Sequence, residues 1–481
     1  MSSLEDLRGL DGLAQAELVR TGELTEAELL SAAVERIEKF DGRLGSIAVT
    51  SFDYGLSSAR QAASAPSYAT PLYGVPFLLK DLGPTAAGLE ATMGSRFLRG
   101  FVPSQGSELV TRFEAAGLRI LGKTRTAEFG VLPTTEPHAQ GPTVNPWDPR
   151  LSAGGSSGGA AAAVAAGLVP VAHANDAGGS IRIPASNCGV FGLKPTRART
   201  PLGPAVGDLM SGLACEHVVS RSVRDSAAVL DAVAGPAPGD PYGAPPVTGS
   251  FRRSAEEGPG RRLRLAFTTR PGASGRLDPA CEAAVLDAVA LCEELGHEVV
   301  EAAPDVAFAD LVDPFLVLWA AGVSSAISSY AQLSGRTPEE PLFEELTWDL
   351  YERGRSLSAA DYLLAVGTLQ RAARRLAVFQ LDYDALLGPV TAAPAPPLGY
   401  FEGGTPRQQI LRGADFAHET PLANLTGQPA MSVPLHWTEA GIPVGVHVTG
   451  RYGEEATLFA LAAQLEKARP WAHRLPDLAH P

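Results

Sequence analysis

Ser152-Ala-Gly-Gly-Ser156-Ser-Gly-Gly-Ala160 runs into the alanine-rich stretch Ala161–Ala166, then the apolar run Leu168–Ala172, then Asn175-Asp-Ala-Gly-Gly-Ser180-Ile-Arg182-Ile-Pro184. Read alone, the first segment is a flexible Gly/Ser linker. Its flanks argue otherwise: a helix-forming stretch and a strand-like run follow at once, so the glycines lie inside a folded unit. Gly155-Ser-Ser157-Gly-Gly159 formally fits a GxSxG nucleophile elbow. Such an elbow needs an apolar strand directly before it, and Asp148-Pro-Arg-Leu-Ser is not apolar. A phosphate-binding loop would end in Gly-Lys-Ser/Thr, which is absent. In the second segment two glycines precede Ser180. Glycine accepts backbone conformations closed to other residues, so successive N–H groups can converge into a nest for an oxyanion. Asp176 and Arg182 flank this turn and are expected to pair and brace it.

The pattern extends outward on both sides. Upstream, Thr25 and Glu28 form a capping box, and Leu29, Ala33, Ile37 and Phe40 share one helical face. The strand-like Ser46–Thr50 follows, and then an apolar run, Gly74–Leu79, that ends in Lys80. Glu108–Gly117 predicts a helix and Leu118–Gly122 a strand. Downstream, residues 235–262 are rich in Pro, Gly and Ser and predict a surface linker. Leu263–Phe267, Pro279–Leu295 and His297–Ala302 predict a strand, a helix and a strand, either as a subdomain or as a continuation of one sheet. Residues 305–380 predict helices. Further strands are expected at Leu386–Val390, Ala430–Pro434 and Gly445–Val448, and a closing helix at Glu455–Ala468. Alternating helices and strands define an α/β layered fold.

Composition narrows the function classes. The 481 residues are 45% hydrophobic and 19% charged, enough for a sizeable core. A net charge of −14, with no Lys/Arg stretch beyond the short Arg261-Arg262-Leu263-Arg264, excludes a basic nucleic-acid footprint. No secretory n-region and h-region open the chain, and no unbroken apolar run reaches membrane-span length. The four cysteines lack CxxC spacing and the nine histidines include no HExxH, so a zinc site is not supported. Unpaired thiols point to a cytoplasmic protein.

The ordered motifs carry the identification. Gly74-Val-Pro-Phe-Leu-Leu-Lys80-Asp81, Gly122-Lys-Thr-Arg-Thr-Ala-Glu-Phe-Gly130, Gly141-Pro-Thr-Val-Asn-Pro-Trp-Asp148, Gly154-Gly-Ser156-Ser-Gly-Gly159, Asp176-Ala-Gly-Gly-Ser180-Ile-Arg-Ile-Pro-Ala185 and Cys188-Gly-Val-Phe-Gly-Leu-Lys-Pro-Thr196 occur in that order. The series closely resembles the amidase signature family. The likeness continues through Asn424-Leu-Thr-Gly-Gln-Pro-Ala430 and Gly441-Ile-Pro-Val-Gly445, so it covers nearly the whole chain. It implies a single domain over 1–481 with α/β/α layers around a large mixed sheet and core motifs within 70–205. It also implies an amidase that cleaves a small-molecule carboxamide C–N bond through an acyl-enzyme.

By the same resemblance, Ser180 is the nucleophile, Ser156 the bridging serine after a cis peptide bond, and Lys80 the general base. The N–H groups of Ala177, Gly178, Gly179 and Ser180 form the oxyanion hole. Ser157 is expected to help hold Lys80, Asp176 and Arg182 are supports, and the resemblance implies no metal or organic cofactor. The chemistry suits these residue types. A serine hydroxyl needs a base to attack at neutral pH. A lysine acts as that base only when neutral, which burial favours. Ser156 can carry the proton between the two and return it to the leaving amine.

His173-Ala-Asn-Asp departs from the Gly-Thr-Asp common in the family. With Thr135-Glu-Pro and Asn145-Pro-Trp-Asp, it resembles the subgroup containing 6-aminohexanoate cyclic-dimer hydrolase. Other readings of the same residues are an amidotransferase subunit, an acyltransferase to an amine, and a silent scaffold. Val131–His138, Phe315–Trp319 and Phe343–Tyr351 are candidate pocket walls. A homodimer is the commonest assembly for such a chain.

Overall fold

The computed structural model describes residues 6–63, 70–270 and 275–478. Its strands are β1 (Ile47–Thr50), β2 (Pro76–Lys80), β3 (Arg119–Thr124), β4 (Val144–Asn145), β5 (Asp148–Ser152), β6 (Val171–Asp176), β7 (Phe191–Lys194), β8 (Cys215–Ser220), β9 (Arg264–Phe267), β10 (Glu298–Glu301), β11 (Ala385–Pro389), β12 (Ala430–Trp437) and β13 (Pro443–Gly450). Eleven of them make one mixed sheet in the order β1-β3-β2-β6-β8-β7-β12-β13-β11-β9-β10. β2 runs parallel to both β3 and β6. The alternative left open by the sequence resolves here: β9 and β10 pair in parallel at the edge of this same sheet.

Alternation along the strands creates the layers, because successive side chains leave a strand on opposite faces. Phe77, Leu79, Ile120, Val171 and Val218 enter one apolar cluster with the helices Glu108–Ala115, Val223–Val233, Pro279–Glu294 and Glu455–Ala468. Leu78, Leu121, Ala172 and Val219 enter the other, with Glu26–Leu44 and the alanine helix Gly158–Ala165. That short helix is buried along its whole length. A third cluster unites Val312–Ser334, Glu345–Ser356 and Ala359–Gln380 beside the sheet.

Two sequence expectations need correction. The strand placed at Leu168–Ala172 begins later, at Val171, because Gly167 (φ 72°) and Pro170 occupy the turn that precedes it. The segment 235–262 is more than a linker. Ser250 caps the helix Phe251–Glu257, whose Phe251 and Ala255 are buried, with Phe251 5.7 Å from the ring of Phe459. The helical stretch Phe308–Ser334 is long and apolar enough by length and composition to cross a membrane, with a mean hydropathy of 1.5 over its most apolar 18 residues, although small and polar residues interrupt it and leave no unbroken apolar run of span length. Phe315, Leu316, Leu318, Trp319, Val323 and Ile327 on this stretch are buried within the protein.

Candidate active site

Lys80 closes β2, and Asp176 closes its parallel neighbour β6. Parallel neighbours bring their C-terminal ends to the same sheet edge, where α/β proteins gather ligand groups. The apolar run before Lys80 fixes its position: every residue of β2 is buried, and the side chain of Lys80 is buried with them. Its Nζ lies 2.7 Å from Ser156 Oγ and 2.6 Å from Asn175 Oδ1. Asn175 is itself held, donating through Nδ2 to Leu82 O at 2.9 Å and to Glu216 Oε1 at 3.4 Å. The backbone N–H of Lys80 donates to His173 Nδ1 at 3.2 Å, and His173 Nε2 meets Glu216 Oε2 at 2.8 Å. Burial pushes the Lys80 ammonium down to about 7, against the opposing pull of the Glu216 and Asp176 carboxylates.

Ser156 follows a cis Gly155–Ser156 peptide, as the family resemblance implies. Only glycine fits before it, since a Cβ on Gly155 would fall on the Thr134 backbone. The Ser157 hydroxyl donates to the carbonyl of Asn175 at 3.2 Å. It therefore reaches Lys80 through Asn175 and not by direct contact. β5 leads into this loop, so a strand does precede it. That strand pairs with β4 in a separate two-stranded ribbon. The elbow reading therefore still lacks its sheet strand.

Ser180 sits half-exposed in the turn between β6 and the helix Arg182–Cys188. Asp176 organises that turn. Its Oδ1 accepts the N–H of Gly179 at 2.7 Å and its Oδ2 that of Ile181 at 3.1 Å. Arg182 grips both carboxylate oxygens at 2.9 Å. Burial alone would raise the Asp176 carboxyl, but this guanidinium holds it well below the usual carboxylate range. The expected brace is thus present. The Gly179 N–H, expected in the oxyanion hole, is instead committed to Asp176. The helix Thr420–Thr426 clamps the turn from behind. Asn424 Nδ2 donates to Asp176 O at 3.0 Å and to Asp176 Oδ1 at 2.9 Å, and Asn424 Oδ1 accepts from Arg182 at 2.7 Å. His447 Nε2 meets Arg182 Nη1 at 2.9 Å behind the turn. Sequence reasoning gave no role to Asn175, His173, Glu216 or Thr420.

A pocket of about 520 Å³ opens over Gly178 and Ser180. Val131, Pro133, Ile183, Phe308, Phe315 and Trp319 are among its walls, and no charged side chain lines it. Phe315 and Trp319 stack with ring centroids 5.1 Å apart, and a Cβ on Gly178 would lie 3.4 Å from Phe315. Two of the three expected wall segments contribute. Phe343–Tyr351 does not line the pocket: Phe343 packs behind it against Phe97, Phe129 and Trp348.

Comparison with known proteins agrees with this geometry. The amidase family model matches residues 28–459. A 6-aminohexanoate-cyclic-dimer hydrolase from Pseudomonas sp. (strain NK87) is 37% identical, over 98% of this chain and 97% of that one. A solved structure of 6-aminohexanoate cyclic dimer hydrolase complexed with substrate superimposes with a TM-score of 0.92 at 36% identity, covering 98% of this chain and 99% of its own. The native peptide amidase from Stenotrophomonas maltophilia gives a TM-score of 0.82 at 25% identity, with 98% of each chain covered. The chain belongs to the amidase family. It is a hydrolase that cleaves amide carbon–nitrogen bonds.

Proposed function

We propose that Ser180 attacks the amide carbonyl and forms an acyl-enzyme, with Ser156 relaying its proton to Lys80. The observation that carries this reading is the buried Lys80 Nζ at 2.7 Å from Ser156 Oγ, its ammonium lowered to about 7. In its neutral form the amine donates to Asn175 Oδ1 and accepts from Ser156, whose oxygen is then free to take the Ser180 proton. Collapse of the tetrahedral intermediate returns a proton through Ser156 to the leaving nitrogen. That transfer is needed because an amide anion does not depart. Water then attacks the acyl-enzyme by the same relay.

With Gly179 committed to Asp176, the N–H groups of Ala177, Gly178 and Ser180 stabilise the oxyanion. Each such donor is typically worth about 3–4 kcal/mol in the transition state. Asp176 and Arg182 hold the turn that presents them. The substrate is a small amide whose acyl side is apolar and uncharged, because the pocket offers aromatic and aliphatic walls and no counter-ion. A cyclic or linear aliphatic amide, like the substrate named for the cyclic-dimer hydrolases, fits this description, and so does an aryl amide. The protein works in the cytoplasm, a reading supported by four free, buried cysteines.

Hydrolysis of aryl anilides, aliphatic amides and cyclic amides by the wild type, Ser180→Ala and Lys80→Ala tests the proposal. Both variants are expected to lose turnover at least about a thousandfold, in line with loss of a nucleophile or its base. Near-normal turnover by Ser180→Ala on a good substrate overturns it.

A further inference from the structure

Two hydrogen-bond paths run from Lys80 to one buried carboxylate, that of Glu216 on β8. Along the first, Lys80 Nζ donates to Asn175 Oδ1 at 2.6 Å, and Asn175 Nδ2 donates to Glu216 Oε1 at 3.4 Å. Along the second, the backbone N–H of Lys80 donates to His173 Nδ1 at 3.2 Å, and His173 Nε2 lies 2.8 Å from Glu216 Oε2. The sheet sets up both. β6 and β8 are antiparallel neighbours with Asn175 opposite Glu216, and His173 leaves the same face of β6 two residues earlier.

Donor and acceptor roles along these paths are forced. A backbone N–H can only donate, so His173 Nδ1 accepts. Burial keeps that ring neutral although Glu216 pulls the other way, so its proton is on Nε2, toward Glu216. Asn175 Nδ2 spends its two protons on Leu82 O at 2.9 Å and on Glu216, which leaves Oδ1 facing Lys80. A neutral amine has one lone pair. With an N–H given to Asn175 Oδ1, that lone pair can point at Ser156 Oγ, 2.7 Å away. The same amide turned over would donate to the lone pair and compete with Ser156. Gly83 (φ 97°) closes the junction, since a Cβ there would lie 2.7 Å from Asn175 Nδ2 and 2.8 Å from Glu216 Oε1. Other ionisable groups around it are Asp176 on β6, held by Arg182, Lys123 on β3, paired with Asp81 at 2.8 Å, and Tyr330 on the helix Val312–Ser334.

We propose that Glu216 is a positioning residue for the general base, acting on Lys80 through Asn175 and His173. It fixes the amide that aims the amine at Ser156. It also supplies the negative charge that, ahead of Asp176, opposes the effect of burial on the Lys80 ammonium.

The test is the pH dependence of kcat and KM in full-length wild type, Glu216→Gln and Glu216→Asp, on whichever aryl, aliphatic or cyclic amide the wild type hydrolyses fastest. Glu216→Gln keeps the shape and removes the charge. Its acid limb in kcat/KM is expected to move down by about one pH unit, because an opposite charge favours the ammonium. Its plateau kcat should fall at least about tenfold with KM changed less than about twofold. Glu216→Asp keeps the charge and shortens the reach, so kcat should fall while the limb stays in place. A limb that does not move in folded Glu216→Gln, even with a lowered Tm, would mean a merely structural role and overturns the proposal. Wild-type kcat in Glu216→Asp overturns it too, and that measurement decides alone if Glu216→Gln does not fold. The role rests on Lys80 being the base, and Lys80→Ala separates the two. Turnover retained in Lys80→Ala sinks the base assignment, whereas an inactive Lys80→Ala beside an unmoved Glu216→Gln limb sinks only the role of Glu216.

Discussion

A lysine ammonium with no carboxylate in direct contact is unusual inside a protein, and Lys80 owes its chemistry to that isolation. Its two partners, a serine hydroxyl and a carboxamide oxygen, are both uncharged. Glu216 and Asp176 act on it from farther off and only partly offset its burial. With Lys80 near 7, kcat/KM is predicted to rise as pH increases through that value and the lysine loses its proton. Asn175→Asp would set an anion against Nζ and favour the charged form. The acid limb of the pH–rate profile should then move up by about one unit or more. A limb that stays in place would mean that another group sets it. Stability moves in the same direction, over the range above that value. The unfolded lysine keeps its proton up to about 10.5 whereas the folded one loses it near 7, so between these values the unfolded state binds more protons and stability rises with pH. Lys80→Met removes a buried charge, so at pH 6 calorimetry should give a Tm no lower than that of the wild type. The contact of Lys80 with Ser156 was legible in the sequence because both stand at matching places in the ordered family motifs. Asn175 was not, since its role depends on β2 and β6 meeting across 95 residues of chain. Gly179 was misread although a signal was available: an aspartate three residues earlier commonly takes such an N–H.

Among the elements, the helix Thr420–Thr426 and the Gly-rich loop before Gly158–Ala165 set the catalytic geometry. Asn424 ties the first of these to both Asp176 and Arg182. Asn424→Leu would leave part of a buried carboxylate unsatisfied, and the turn bearing Ser180 would loosen. Steady-state kinetics should show kcat falling about tenfold or more with a smaller change in KM, because the loss is felt most where charge develops. At the loop, a Cβ on Gly159 would lie 2.6 Å from the backbone nitrogen of Arg125. Gly159→Ala is predicted to cost about 1–3 kcal/mol as overpacking, visible as a lowered Tm. The helices at Glu455–Ala468 and Pro279–Glu294 were readable in the sequence almost to the residue. The helix Phe251–Glu257 was hidden because Pro and Gly surround it on both sides, and only its packing on Phe459 explains why it forms.

At the scale of the molecule, one twisted layer does two jobs. The sheet gathers Lys80, Asn175 and Asp176 at one edge, and the helices of residues 312–380 roof that edge with aromatic rings. The family motifs made the first job legible. The second depends on which faces of long apolar helices turn inward, so Phe315 and Trp319 reached the pocket while Phe343 did not. An uncharged pocket predicts selectivity. Hexanamide should be hydrolysed with a kcat/KM at least about a hundredfold above that of its ω-carboxylate analogue, since a carboxylate buried without a partner costs several kcal/mol. The central claim, attack by Ser180, is tested most directly by labelling the protein with a fluorophosphonate and mapping the modified peptide by mass spectrometry. The account predicts one adduct, on Ser180, lost in Ser180→Ala and formed far more slowly in Lys80→Ala. An adduct on Ser156 or Ser157, or labelling that persists in Ser180→Ala, would contradict it.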